Sequence, residues 1–345
     1  MKKVLSILLA IGFVFQAGIF SATLTPADLT AYAAAKVAVT SVKLTPSVIQ
    51  LAAGNTGTVK ATVSPSTATN KAVSWKSSNT AVVTVSNTGT VTALSIGTAT
   101  ITCTAKDGSG KKAVCKATVV KPSTPAQMLA AYTTVMNKAK ISKPAFKKLE
   151  YQALPANKIN VTQAGKIITP LLKLAGRFMT TEAQAKENPG VYAKGNDMRQ
   201  FPVKYSSKGC LLKDAGAIKS AVWTKLSNGN YQIKIVLNSE TDPEHYQSGA
   251  TAPSKTGSMF YPLSKSDVNP ELGKWYVKAV ISNARYSLKY YNCTAVLVYN
   301  PKTNRVVTLN QDTYTLITMS GKAVGINASG TAVLEMHYKF YDVKY

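Results

Sequence analysis

Three carboxylates and a histidine fall within Glu240-Thr241-Asp242-Pro243-Glu244-His245, the one concentration of acids in a chain with 15 Asp and Glu against 41 Lys and Arg. Carboxylate oxygens beside an imidazole suit a hard divalent cation or a general acid–base pair. Asp242-Pro243 is also a turn signal at the end of an apolar run, so a structural or solvated loop is the competing reading. The second histidine, His337, alternates with Glu335 and Lys339 and reads as the solvated face of a strand. No zinc-type histidine spacing, Gly-x-Ser-x-Gly elbow, phosphate loop or dinucleotide fingerprint occurs. The residues therefore name no catalytic side chain and predict neither a metal nor a cofactor. Paired carboxylates for glycoside cleavage have no fixed sequence spacing to recognise.

Four cysteines carry the remaining chemistry. Cys103 and Cys115 flank the turn Gly108-Ser109-Gly110, and a hairpin folded symmetrically about Ser109 sets them opposite each other. Directly opposed residues have Cα atoms about 4.5–5.5 Å apart, within disulfide range. Such a short closed loop would contribute about 2–3 kcal/mol by restricting the unfolded chain. The alternative is two buried free thiols. Cys210 and Cys293 form a second candidate pair, tying the Lys208-Gly209-Cys210 turn to the Tyr291-Asn292-Cys293 strand.

The elements that must position these residues change character along the chain. From Val37 to Val120, short alternating runs are broken by turn residues, which is the pattern of a β-sandwich. The inward sets include Val42/Leu44, Val59/Ala61/Val63, Val73/Trp75, Val83/Val85, Val91/Ala93 and Ala99/Ile101/Cys103, with Trp75 as the expected core marker. Residues 121–126 read as a linker, and 127–345 as an α+β domain. Thr124 is an N-cap candidate, with Pro125 at the first helical position and Gln127 completing a capping box. Met128, Leu129, Tyr132, Val135 and Met136 then follow at helical spacing to about Lys140. A second stripe runs from Ala164 to Phe178, interrupted by Pro170. Beyond residue 200 the period becomes two. Asn228-Gly229 marks a hairpin, a second spans Pro301–Asn304, and strands are expected at Thr313–Met319 and Thr331–Tyr341. Helices first and an antiparallel meander after them predict helices packed on one sheet. A curved sheet wrapping a helix, as in bacterial lipid-carrier half-barrels, is one such architecture.

Within residues 36–120, Val42-x-Leu44-x-Pro46, Trp75-x-Ser77-Ser78-Asn79, Gly89-x-Val91-x-Ala93 and Gly97-Thr98-Ala99-x-Ile101 stand together. In these motifs the segment resembles the bacterial immunoglobulin-like domain of group 2. The resemblance implies a β-sandwich of secreted and surface proteins, serving as spacer, adhesive unit or accessory binding module. Residues 1–35 read as a signal peptide. Met1-Lys2-Lys3 is followed by an apolar run to Phe20, and Ala31-Tyr32-Ala33 places small residues for cleavage near Ala33–Ala35. No second apolar run of spanning length follows, so the expected location is secreted or wall-associated, with no membrane span after cleavage.

Apolar content of 45% and charged content of 16% exclude a disordered chain. A net charge of +26 favours anionic polymers such as wall polymers or acidic glycans. Nucleic acid is not expected, because the aromatics near Arg285 (Tyr286, Tyr290, Tyr291) form no stacking platform. The Trp275-Tyr276 and Tyr290-Tyr291 doublets offer rings for sugars. The sequence carries no signature of an oligomeric state. Together these features predict a non-catalytic surface protein in which an immunoglobulin-like module presents a C-terminal binding domain for adhesion or surface interaction. The alternatives are a carrier of an apolar ligand and an extracellular hydrolase such as a glycosidase.

Overall fold

The computed structural model describes residues 36–163, 179–246 and 254–345. The expected leader at 1–35 and the stripe from Ala164 to Phe178 lie outside the described residues.

Nine short strands build the first unit: β1 (Ser41–Thr45), β2 (Val48–Ala52), β3 (Thr56–Thr58), β4 (Lys60–Ser64), β5 (Val73–Ser77), β6 (Val83–Val85), β7 (Thr90–Ala93), β8 (Gly97–Ala105) and β9 (Lys112–Val120). They form a four-stranded sheet in the order β2-β9-β8-β5, a three-stranded sheet β3-β7-β6 and the pair β1-β4. Alternation explains the arrangement. In β8, Ala99, Ile101, Cys103 and Ala105 are buried, while Thr98, Thr100 and Thr102 face outward or sideways. Val59, Val83, Val91 and Ile101 are wholly buried at the centre, whereas Trp75 is half-buried and packs against that core from its edge. The Asp107 carboxylate accepts hydrogen bonds from the Val39 amide at 2.6 Å and the Ser109 amide at 3.0 Å. It thereby ties the start of the unit to the β8–β9 turn. Hydrogen bonding, first to Ser109 and then to Val39, holds its pKa at about 2.

The Cys103–Cys115 staple does not form. The β8–β9 hairpin turns one position off the expected centre, so Cys103 faces Ala113 and Cys115 faces Ile101. The two cysteines are then diagonal neighbours, whose Cα atoms typically stand about 7–8 Å apart, outside disulfide reach. Both are buried free thiols, and burial raises their pKa. Cys210 and Cys293 are also buried and free. Cys210 sits in a loop whose amide is held by Asn137 on the first helix, while Cys293 lies in a bulge where the strand register skips from Tyr291 to Thr294. Burial pushes the Cys293 thiol up to about 12.

The second unit opens with α1 (Pro125–Ser142). Thr124 caps it as expected, accepting from the Gln127 amide at 3.2 Å, but the Gln127 side chain reaches the Ser123 amide rather than that of Thr124. Met128, Leu129, Tyr132, Val135 and Met136 form its buried stripe. The strands are β10 (Ala145–Ala153), β11 (Asn160–Gln163), β12 (Gly190–Tyr192), β13 (Ile218–Lys225), β14 (Tyr231–Leu237), β15 (Glu240–Thr241), β16 (Ile281–Asn300), β17 (Arg305–Ala323) and β18 (Ile326–Lys344). They make one antiparallel sheet in the order β12-β10-β18-β17-β16-β14-β13, with β11 on β18 and β15 on β16. Among the described residues, three short α-helices, α2 (Glu182–Glu187), α3 (Lys265–Leu272) and α4 (Trp275–Val280), interrupt the chain.

The α+β expectation overstates the helix: strand far outweighs helix among the described residues, 48% against 15%, and α1 is the one long helix among them. It packs across β13, β14 and β17. The buried residues of the sandwich, α1 and the large sheet form one continuous apolar cluster. Among the described residues no helix is long and apolar enough to cross a membrane.

Candidate functional site

The acidic cluster is assembled, but each of its members holds part of the fold. Glu240 in β15 accepts the amides of Lys255 at 3.2 Å and Thr256 at 2.7 Å. Asp242 has a positive φ of 52°, which a short polar side chain tolerates, and it ends the strand. Its carboxylate accepts the Leu288 amide at 2.8 Å and pairs with Lys265 at 2.7 Å. Burial works to raise its pKa, but Lys265 and the Leu288 amide outweigh burial and hold it below the usual carboxylate range. Glu244 is exposed and accepts from the Ser266 hydroxyl at 2.9 Å. His245 is only 7% exposed, stacks on Tyr261 with ring centres 4.4 Å apart, and places Nε2 3.1 Å from Asp267. Asp267 caps α3 by accepting from the Ser264 amide and hydroxyl, both at 2.9 Å.

These contacts latch the segment from Ser254 to Leu272 onto β15 and β16. The carboxylates point at backbone amides, a lysine and a serine rather than at a shared centre. Among the described residues no three His, Cys, Asp or Glu are grouped to hold a metal ion.

His337 stands on the large sheet with Glu335 and Lys339 on its own strand, but it is less solvated than a bare strand face. Its Nδ1 donates to Asp312 directly across the pair at 2.6 Å, and Tyr151 stacks on its ring with centres 4.6 Å apart. The Asp312 hydrogen bond raises its pKa against the opposing effect of burial.

Concave space lies elsewhere. The far ends of β16, β17 and β18 run beyond α1, and their inner face carries Ile281, Ile317, Met319 and Leu334. With Val161 of β11 and Leu263 ahead of α3, these line an apolar cavity of about 330 Å³. Its size falls in the range of small-molecule sites, about 300–1,000 Å³. Gly330 permits the enclosure, because a Cβ there would lie 2.7 Å from the Asn160 carbonyl and push β11 away. Among the described lining residues Lys322 is the one charged side chain, and it is exposed. Such a lining can take up hydrocarbon, with Lys322 and the hydroxyls of Ser320, Ser329 and Thr331 as its polar side chains among the described residues.

The sequence raised an apolar-ligand carrier as an alternative but singled out none of the residues that line this cavity. Ile317, Met319 and Leu334 look like ordinary core from their spacing, and nothing local marks the absence of a packing partner. The usable signal is the pair of glycines at 321 and 330 inside strands that otherwise alternate, since an interior glycine marks a close backbone approach.

No curated protein matches this chain. Residues 38–116 match the bacterial Ig-like domain, group 2, and through that segment the chain is similar to a family common in surface-associated bacterial proteins.

Proposed function

We propose that this is an exported, surface-associated binding protein whose second unit takes an apolar ligand of the acyl-chain class into the cavity beneath β16, β17 and β18. The observation that carries the reading is the cavity itself: about 330 Å³ of space lined almost wholly by hydrocarbon. Burying a CH₂ group of a ligand there contributes about 0.8 kcal/mol, so a medium-length chain would bind without a polar anchor. The Ig-like unit holds this binding unit at the surface. A fluorescent fatty acid titrated into the protein should gain intensity on binding and be displaced by unlabelled fatty acid. Ala332 lines the cavity, and Ala332→Phe should occupy part of it and weaken the signal while leaving the thermal midpoint unchanged or higher. Wild-type protein that binds no fatty acid, or an Ala332→Phe variant that binds as well as wild type, would rule the reading out.

Adhesion through charge is a second reading, favoured by the first unit's nine lysines against the single acid Asp107 between residues 36 and 116. It requires retention on purified cell walls that is released by high salt.

A further inference from the structure

The turn between β17 and β18 breaks a local rule. In a two-residue hairpin turn with positive φ at both central positions, Asn, Asp or Gly normally takes the first place. Here Val324 (φ 50°) and Gly325 (φ 80°) fill it, between Ala323 and Ile326, which face each other. The other described non-glycine residues with positive φ include Asn283, Asn292, Asn304, Asp242 and Asp342, and Val324 is the one β-branched residue among them. A β-branched side chain at positive φ is strained. Val324 is 68% exposed, so packing within the molecule does not offset that strain. A sequence that breaks a local rule with no internal compensation points to a use outside the fold.

Two other large apolar side chains stand at the same end. Ile326 is 53% exposed and Trp275 is 81% exposed. Trp275 opens α4, which runs directly into Ile281, and Ile281 pairs with Ala323 beside the turn. Ile281, Lys322 and Ala323 also line the cavity, so the apolar tip stands at the cavity's end. Apart from Glu271 ahead of α4, the charge around it is positive. Lys278, Arg285 and Lys322 are exposed, Lys274 is paired with Glu271, and no acid occurs from Leu272 to Gln311 or from Thr313 to Leu334.

We propose that this tip docks on a bilayer containing anionic phospholipid, with Trp275, Val324 and Ile326 entering the interface and Lys278, Arg285 and Lys322 meeting the headgroups. Apolar side chains ringed by cations suit that boundary, where ring and methyl groups leave water while ammonium groups stay with phosphate. The docking surface stands without the cavity; the cavity supplies only the reason to dock at this end.

The test uses the full chain expressed and exported by a bacterial host, with wild type and variants in parallel. Protein is floated with phosphatidylcholine vesicles with and without phosphatidylglycerol. Wild type should float with the phosphatidylglycerol vesicles and be released by salt. Val324→Asn with Ile326→Asn should lower the bound fraction by about tenfold or more, and Trp275→Ser should weaken it and remove the blue shift of tryptophan emission. Val324→Asn places a residue suited to the turn, so its thermal midpoint should hold or rise, which separates lost docking from lost folding. Wild type that does not float, or the double variant floating like wild type, overturns the docking. Fatty-acid binding by the same double variant reports on the cavity alone. If wild type binds fatty acid but does not float, only the docking falls, and if wild type floats but never binds fatty acid, only the cavity reading falls.

Discussion

Lys140 shows how a single side chain can close a region that the sequence leaves open. The residue is 5% exposed, and its ammonium donates to the carbonyls of Met198 at 2.8 Å, Phe201 at 2.8 Å and Val203 at 3.0 Å. All three of its protons are used. Burial lowers its pKa to about 8, with Asp197 acting in the opposite direction. Lys140→Ala would leave three buried carbonyls without that donor and should destabilise the protein by about 2–4 kcal/mol in urea denaturation. His337 makes a separate prediction. Its folded pKa lies above the ordinary value of 6.5, so its pairing with Asp312 stabilises fully below about pH 6.5 and is lost as pH rises through the folded value. His337→Gln should therefore lower the thermal midpoint more at pH 5.5 than at pH 8.5. An equal loss at both would show that the hydrogen bond carries no proton linkage. His337 was legible as a strand residue, but its partners Asp312 and Tyr151 lie on other strands, at separations that no local pattern encodes.

At the scale of elements, local signals and long-range pairing divide the credit. The helix α1 was legible because its cap and apolar stripe are both written within one stretch of about 18 residues. The hairpin at Asn228-Gly229 was legible for the same reason. The lengths of β16, β17 and β18 were not: glycines at 321 and 330 and the bulge at Asn292-Cys293 interrupt the alternation, while cross-strand pairing carries the strands through. The β8–β9 register is the sharpest case. A shift of the turn by one position moved Cys115 from opposite Cys103 to opposite Ile101, and with it went the staple. Contact between elements of the two units turns on Gly54, whose φ is +86° and whose added Cβ would lie 2.5 Å from the Ala131 Cβ on α1. Gly54→Ala should cost about 2–4 kcal/mol from backbone strain and forced displacement together, as read from denaturant midpoints.

For the whole molecule, that contact belongs to a continuous join. The Tyr231 hydroxyl lies 3.4 Å from the Ile96 amide, and the Lys121 ammonium stands 5.8 Å over the Trp223 ring. Buried apolar side chains run unbroken from the sandwich through α1 into the large sheet. Calorimetry of the full chain should then record one cooperative transition, which Gly54→Ala lowers as a whole. Two transitions with only one moved by Gly54→Ala would show that the units unfold separately.

By itself the sequence determined the sandwich pattern of the first unit, its family resemblance, the cap and face of α1 and the basic balance of the chain. Each of these depends on residue type and short-range spacing. The tertiary structure alone decided that the cysteines stay apart, that the acids around His245 latch a loop, and that an apolar cavity ends at a strained, exposed valine turn. Those outcomes depend on which residues meet across strands and which apolar faces are left without a partner. Spacing along the chain does not record either.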